Sequence, residues 1–168
     1  CETWRERVFR HVVHLSPEIV IIGSSHYPFS EQQWREGSQR VLRRLGGDGR
    51  AVVVMAPTPM LPYHVPRCVA ARGRHVDGRL SAPACSADLA DVDPAAITSA
   101  LRQAAADAPG SALLYMNDVV CPRGTCQGTV DGRLTYRDEQ HLNGTYVEDL
   151  AEEFEHRLKA AMDAARNR

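Results

Sequence analysis

Lysine is almost missing from this chain. Lys159 is the only one in 168 residues, and the rest of the basic charge comes from arginine. No basic block stands out either, and 20 basic residues are balanced by 21 acidic ones for a formal net charge of −1. A chain without a basic face offers no electrostatic footprint for a phosphate backbone or an acidic membrane surface, so nucleic acid is not an expected partner. Long apolar runs are absent too. No segment reaches the ~18 consecutive apolar residues of a membrane span, and the first residues show neither a charged nor an apolar leader region. The chain as it stands is expected to be soluble.

At 43% hydrophobic, 168 residues are enough for one well-buried core, and residues 1–168 are read as a single domain. Five cysteines are spread along it. Cys68 and Cys85 flank a Pro-rich, Gly-containing stretch, and Cys121 and Cys126 bracket Pro122-Arg123-Gly124-Thr125. Both pairs can close loops, and an oxidising compartment is the simplest setting for them. Cys1 is then left over, which points to a partner cysteine upstream, a free thiol or an intermolecular bridge.

Periodicity orders the elements. Trp4, Val8, Phe9, Val12, Val13 and Leu15 recur at helical spacing before the stop Ser16-Pro17, so Glu2 to Leu15 is expected to be a helix with one buried face. Trp4 and Trp34 fall at its core positions and those of the next helix, and are expected to pack. Ile19 to Ile22 reads as a fully buried strand that breaks at Gly23-Ser24-Ser25-His26. A helix carrying Trp34, Val41, Leu42 and Leu45 closes at Gly46-Gly47, and Ala51 to Met55 is a second buried strand. Residues 56–86 keep no period, and their five prolines argue for a long irregular loop. Asp93-Pro94 opens a helix to about Ala106, and Ala112 to Met116 is a third buried strand. Thr129 to Leu134 is a hairpin around Asp131-Gly132. A last helix from about Gly144 to Ala164 carries Val147, Leu150, Phe154, Leu158 and Met162 as its stripe, with Asn143 or Thr145 as its cap. Non-alternating strands separated by helices imply a parallel sheet covered on both faces, a three-layer α/β/α sandwich. Reactive groups in such sheets lie beyond the carboxyl ends of the strands, here Gly23–Phe29, Ala56–Pro62 and Asn117–His141.

The densest chemistry lies in the last of these loops, where Asp138 and His141 stand three residues apart. An aspartate so placed can bond one ring nitrogen, fix the tautomer and leave the other nitrogen to take a proton from a hydroxyl nucleophile. The competing readings are an Asp capping nearby amides beside a surface His, and a zinc site built from Cys121, Cys126 and His141. His11 and His14 share a helix face and are read as solvated. Asn117-Asp118 is read as satisfying a turn rather than as part of the site.

Taken in order, Cys1-x-x-Trp4-Arg5, Pro17-Glu18-Ile19-Val20-Ile21, Thr58-Pro59, Val65-Pro66-x-Cys68, Cys121-Pro122…Cys126, Asp131-Gly132 and Tyr136-x-Asp138-x-x-His141-Leu142 make a series. It resembles the SGNH-type domain at the extracytoplasmic C-terminus of acyltransferase-3-like membrane O-acyltransferases, which acylate cell-envelope glycans. The resemblance implies an SGNH-hydrolase-like fold, His141 as general base, Asp138 as its orienting carboxylate, and Cys68–Cys85 and Cys121–Cys126 as disulfide staples. It implies no cofactor and no metal. The implied partners are a glycan or polysaccharide acceptor and a membrane acyltransferase domain of the same parent protein or complex.

In that family the nucleophile sits in a Gly-Asp-Ser block after the first strand, and no such block occurs here. The chain is therefore expected to be a portion that lacks the first two strands, with Cys1 separated from its bridge partner. On that placement Ser24 or Ser25 lines the pocket as an oxyanion donor. A rival placement treats Gly23-Ser24-Ser25-His26 as a degenerate Gly-Asp-Ser-His and makes Ser25 the nucleophile. The expected function is transfer or hydrolysis of an acyl group, acetyl foremost, on envelope glycans by a Ser-His-Asp mechanism. The alternative is a catalytically silent glycan-binding or accessory module.

Overall fold

A computed structural model describes residues 2–47 and 49–167, so the expectation for Cys1 lies outside the described residues. The chain begins with α1 (Glu2–Leu15), β1 (Ile19–Ile22), α2 (Glu31–Leu45) and β2 (Ala51–Met55). There follow α3 (Val65–Arg72), β3 (Arg74–Val76), β4 (Arg79–Ser81), β5 (Ser86–Asp88) and α4 (Leu89–Val92). After α5 (Ala95–Ala106) and β6 (Ser111–Leu114) come α6 (Asn117–Val120), β7 (Thr125–Gln127), β8 (Thr129–Val130) and β9 (Arg133–Leu134). The chain closes with α7 (Gly144–Asp149) and α8 (Ala151–Arg166). These elements form two compact units, one of Cys1–Pro57, Ala95–Tyr115 and His156–Arg168, the other of Thr58–Pro94 and Met116–Glu155.

The first unit is built on a parallel sheet in the order β1-β2-β6, with Ile19 opposite Ala51 and Val52 opposite Ser111. β2 is buried from Ala51 to Val54 because it has a strand on each side. Val52 and Val54 pack with Leu42 and Leu45 of α2 and with Leu101, Ala104 and Ala105 of α5. α2 starts where the sequence asks it to. Ser30 accepts from Gln33 N–H while the Gln33 side chain accepts from Ser30 N–H, a reciprocal cap that satisfies two otherwise orphaned donors. Arg50 is buried at 4% exposure, and its guanidinium donates to the carbonyls of Leu45 (2.7 Å) and Pro17 (3.1 Å). Those carbonyls offset the desolvation of the buried charge, and the first belongs to the negative end of α2.

Two expectations in this unit are corrected. β1 is not fully buried: it bonds β2 alone among the described strands, and Ile21 is 43% exposed. Trp4 is not a packing residue, since α1 turns Phe9 and Val12 to the core and leaves Trp4 70% exposed. Trp34 does pack, and its indole N–H donates to the Tyr27 carbonyl at 3.3 Å.

The second unit is assembled from short pieces around Leu61, Val65, Val69, Cys85, Val120, Cys121, Cys126 and Tyr136. The stretch expected to be an irregular loop contains α3, the β3–β4 hairpin and β5. Pro66 lies in the first turn of α3, where its missing N–H costs nothing, and Asp77-Gly78 makes the hairpin turn with positive φ at both residues. β5 pairs antiparallel with β7, and β8 with β9 through the expected Asp131-Gly132 turn. Disulfides join Cys68 to Cys85 and Cys121 to Cys126, with Cα separations of 5.9 and 4.2 Å. The last helix is two helices, α7 and α8, divided at Leu150. Tyr146, Ala161 and Ala165 are their buried residues, and Val147 of the expected stripe is exposed. The fold class is α/β with a parallel sheet, as expected.

Candidate active site

The segment between β9 and α7 folds on itself. Tyr136 bridges Leu142 in antiparallel fashion, Arg137 N–H donates to the His141 carbonyl at 2.9 Å, and Asn143 N–H donates to the Thr135 carbonyl at 2.9 Å. Tyr136 anchors the base of this loop. It is fully buried, with its hydroxyl 3.9 Å from Cys121 Sγ of the Cys121–Cys126 disulfide. Burial pushes its phenol far above the ordinary value, with Tyr146 and Tyr63 adding to the shift, so Tyr136 stays neutral and serves as packing.

The loop holds Asp138 by both carboxylate oxygens. Oδ1 accepts the backbone N–H groups of Gln140 (2.9 Å) and His141 (2.7 Å), and Oδ2 lies 2.7 Å from His141 Nδ1. The expected pair is therefore formed. The competing idea of Asp138 as a local amide cap is also met, because Oδ1 caps while Oδ2 orients the ring. Nδ1 is the ring nitrogen that meets the carboxylate, and the His141 side chain is 52% exposed. Desolvation would raise the Asp138 pKa, but the N–H groups of His141 and Gln140 and the bond and charge of the His141 ring outweigh it. They lower the value from 3.8 to about 2. Arg137 adds a guanidinium 3.9 Å from Oδ2. The carboxylate is thus ionised at any working pH, which is the state that stabilises an imidazolium.

Ser24 and Ser25 leave the carboxyl end of β1 in the first unit. They line a cavity of about 790 Å³ together with Phe9, Tyr27, Phe29 and Trp34. The rings of Tyr27, Phe29 and Trp34 form a chain with centroid separations of 4.8 and 5.7 Å. The zinc reading fails on chemistry, since Cys121 and Cys126 are bonded to each other and present no thiolate. His11 and His14 are exposed on α1. Asn117 is buried, and its side-chain amide donates to Asp93 Oδ1 at 2.7 Å, so it works inside the fold.

Three positions that the sequence reading left without a role hold the Asp138–His141 loop from outside. Thr58 Oγ1 donates to the Gln140 carbonyl (2.6 Å), Leu61 N–H to the Glu139 carbonyl (2.8 Å) and Val65 N–H to the Asp138 carbonyl (3.3 Å). The sequence signals near them are the Ala56–Pro62 loop beyond a strand end and the landmarks Thr58-Pro59 and Val65-Pro66, none of which names a partner in the Asp138–His141 loop.

A family model described as the SGNH domain fused to AT3 domains matches residues 1–156. Neither a curated protein nor a solved structure gives a significant match. No described helix is long and apolar enough to cross a membrane.

Proposed function

Because this chain belongs to the family of SGNH domains fused to AT3 domains, an SGNH-like acyltransferase or esterase module, we propose that it moves an acyl group, acetyl foremost, onto or off a hydroxyl of a cell-envelope glycan. The observation that carries this reading is the 2.7 Å contact between His141 Nδ1 and an Asp138 carboxylate pinned by two backbone amides. That contact supports a proton on Nδ1, the tautomer in which Nε2 is free to act as the base.

In this mechanism a serine hydroxyl attacks the acyl carbonyl carbon while Nε2 takes the hydroxyl proton. The tetrahedral oxyanion collapses, the bond to the leaving alkoxide breaks, and the imidazolium returns its proton to that oxygen. A glycan hydroxyl or water then attacks the acyl-enzyme, losing its proton to Nε2; the second tetrahedral intermediate breaks its bond to the serine oxygen, which takes that proton back from the imidazolium. Asp138 stays ionised throughout and stabilises each imidazolium. Ser25 is the proposed nucleophile where the chain supplies its own, and Ser24 an oxyanion donor.

The extracytoplasmic setting is proposed on two disulfides, which persist where thiols are oxidised. Fusion to AT3 domains in the family supports a membrane acyltransferase as partner. The family match runs through segments of both compact units, which supports reading them as one SGNH-like domain.

A fluorophosphonate probe on the intact protein tests the mechanism, alongside turnover of an acetylated polysaccharide. Labelling of Ser25 that disappears in His141→Ala supports a nucleophile within the chain, no labelling at all indicates a separated or absent one, and acetate release lost in Asp138→Ala/His141→Ala supports the enzyme reading. Polysaccharide binding that survives the double substitution, in a protein whose unsubstituted form releases no acetate, would replace the enzyme reading with a silent binding module.

A further inference from the structure

We infer that Thr58 is a positioning residue for His141, acting through the peptide bond between Gln140 and His141. That peptide is gripped at both ends: its carbonyl accepts from Thr58 Oγ1 at 2.6 Å and its N–H donates to Asp138 Oδ1 at 2.7 Å. A peptide unit is planar, so fixing its oxygen and its hydrogen fixes the direction in which the chain enters the His141 Cα. The His141 Cα is thereby held beside Asp138, within reach of the Oδ2 contact at 2.7 Å that orients the ring.

Two further bonds set the height of the loop. Leu61 and Val65 donate backbone N–H groups to the carbonyls of Glu139 and Asp138, so three consecutive carbonyls are held by donors spaced along residues 58–65. Leu61 and Val65 act through the main chain, and any non-proline residue would preserve those bonds. Thr58 is the one side-chain donor in the set. Its own place is stiffly set, because Pro57 and Pro59 flank it with fixed φ, both buried, and a residue before proline is confined to extended backbone. The clamp is tied back by α3, which begins at Val65 and carries Cys68 of the Cys68–Cys85 disulfide.

This inference rests on the proposed role of His141 as base, so its test has one arm that does not need turnover. Thr58→Val keeps the shape and removes the donor, while Thr58→Ser keeps the donor. In ¹⁵N spectra, Thr58→Val is expected to move the His141 Nδ1 resonance away from its protonated position, and Thr58→Ser to leave it in place. With 4-nitrophenyl acetate, kcat is expected to fall about tenfold in Thr58→Val with KM within about twofold, a size between the loss of one hydrogen bond and a 1 Å misplacement. Thr58→Ser is expected to restore it.

A folded Thr58→Val with unchanged Nδ1 resonance and kcat overturns the inference, and so does a Thr58→Ser that falls as far as the valine variant. If the unsubstituted protein turns over no ester, the proposed activity fails and the ¹⁵N arm alone decides. If Thr58→Val does not fold, the unsubstituted protein decides. A slowly exchanging Thr58 hydroxyl proton with an NOE to the His141 amide supports the clamp, and exchange at the solvent rate overturns it.

Discussion

Replacing Asp138 by asparagine changes one atom and, on this geometry, reverses the tautomer of His141. Oδ1 accepts two backbone N–H groups, at 2.9 and 2.7 Å, so in Asp138→Asn the amide oxygen must take that place. The amide nitrogen then occupies the position of Oδ2, 2.7 Å from Nδ1. An NH₂ group only donates, so Nδ1 must accept, the ring proton moves to Nε2, and the base is blocked. Flipping the amide would restore the tautomer but would set NH₂ against two N–H donors, at about 1–3 kcal/mol for each donor left unmatched. Two such donors hold the productive orientation to a small fraction of molecules, and the wrong tautomer costs a serine triad about 10⁴-fold in kcat. The expected fall is therefore between about 10² and 10⁴-fold, or ~3–5 kcal/mol of barrier. Initial rates with 4-nitrophenyl acetate measure it, with circular dichroism to show that the variant is folded. A folded Asp138→Asn within tenfold of the unsubstituted rate would refute the argument.

Further expectations concern the scaffold. Removing the Cys68–Cys85 bridge, which spans 17 positions, is expected to cost about 3 kcal/mol by chain entropy in Cys68→Ala/Cys85→Ala, read as a lower urea midpoint. An unchanged midpoint would contradict it. Gly128→Ala would set a methyl 2.7 Å from the Cys85 carbonyl oxygen and 3.1 Å from Cys85 Cβ, so a loss of about 1–3 kcal/mol is expected. Gly144→Ala, with open space around the added methyl, should be neutral or slightly stabilising in the same assay. Asp138 makes stability pH-dependent in a stated direction. Its pKa is lowered from 3.8 to about 2 on folding, so its contribution is complete above 3.8 and is lost as pH falls through about 2. Urea unfolding of the unsubstituted protein and Asp138→Asn should show a gap that closes over that range, and a gap that persists below it would contradict the assignment.

The elements legible in the sequence were those with a local period or a local stop. α1, β2 and the end of α2 have near-expected bounds because apolar spacing, Ser16-Pro17 and Gly46-Gly47 are signals carried within a few residues, whereas the Ser30 cap that starts α2 carried no expectation. α3 was hidden because Pro66 counts as a breaker until it is known to occupy a first helical turn. The β3–β4 hairpin was missed for want of weight on Asp77-Gly78, although the same dipeptide at Asp131-Gly132 was read correctly. The exposure of Trp4 and Ile21 was illegible for another reason, since burial depends on what lies beside an element rather than on its own pattern. The site divides in the same way. Asp138 and His141 are three residues apart and their bond is a local event. Thr58 lies 82 positions from Gln140, and no spacing rule connects them before the chain is folded.

The central claim is that Asp138 holds the proton on Nδ1 and leaves Nε2 of His141 as the base. A ¹⁵N spectrum of the unsubstituted protein, labelled at histidine and recorded at a pH where the ring is neutral, tests it most directly. The account predicts a protonated Nδ1 with a coupling to its own hydrogen and an unprotonated Nε2. A proton on Nε2, or rapid averaging between the two nitrogens, would contradict it.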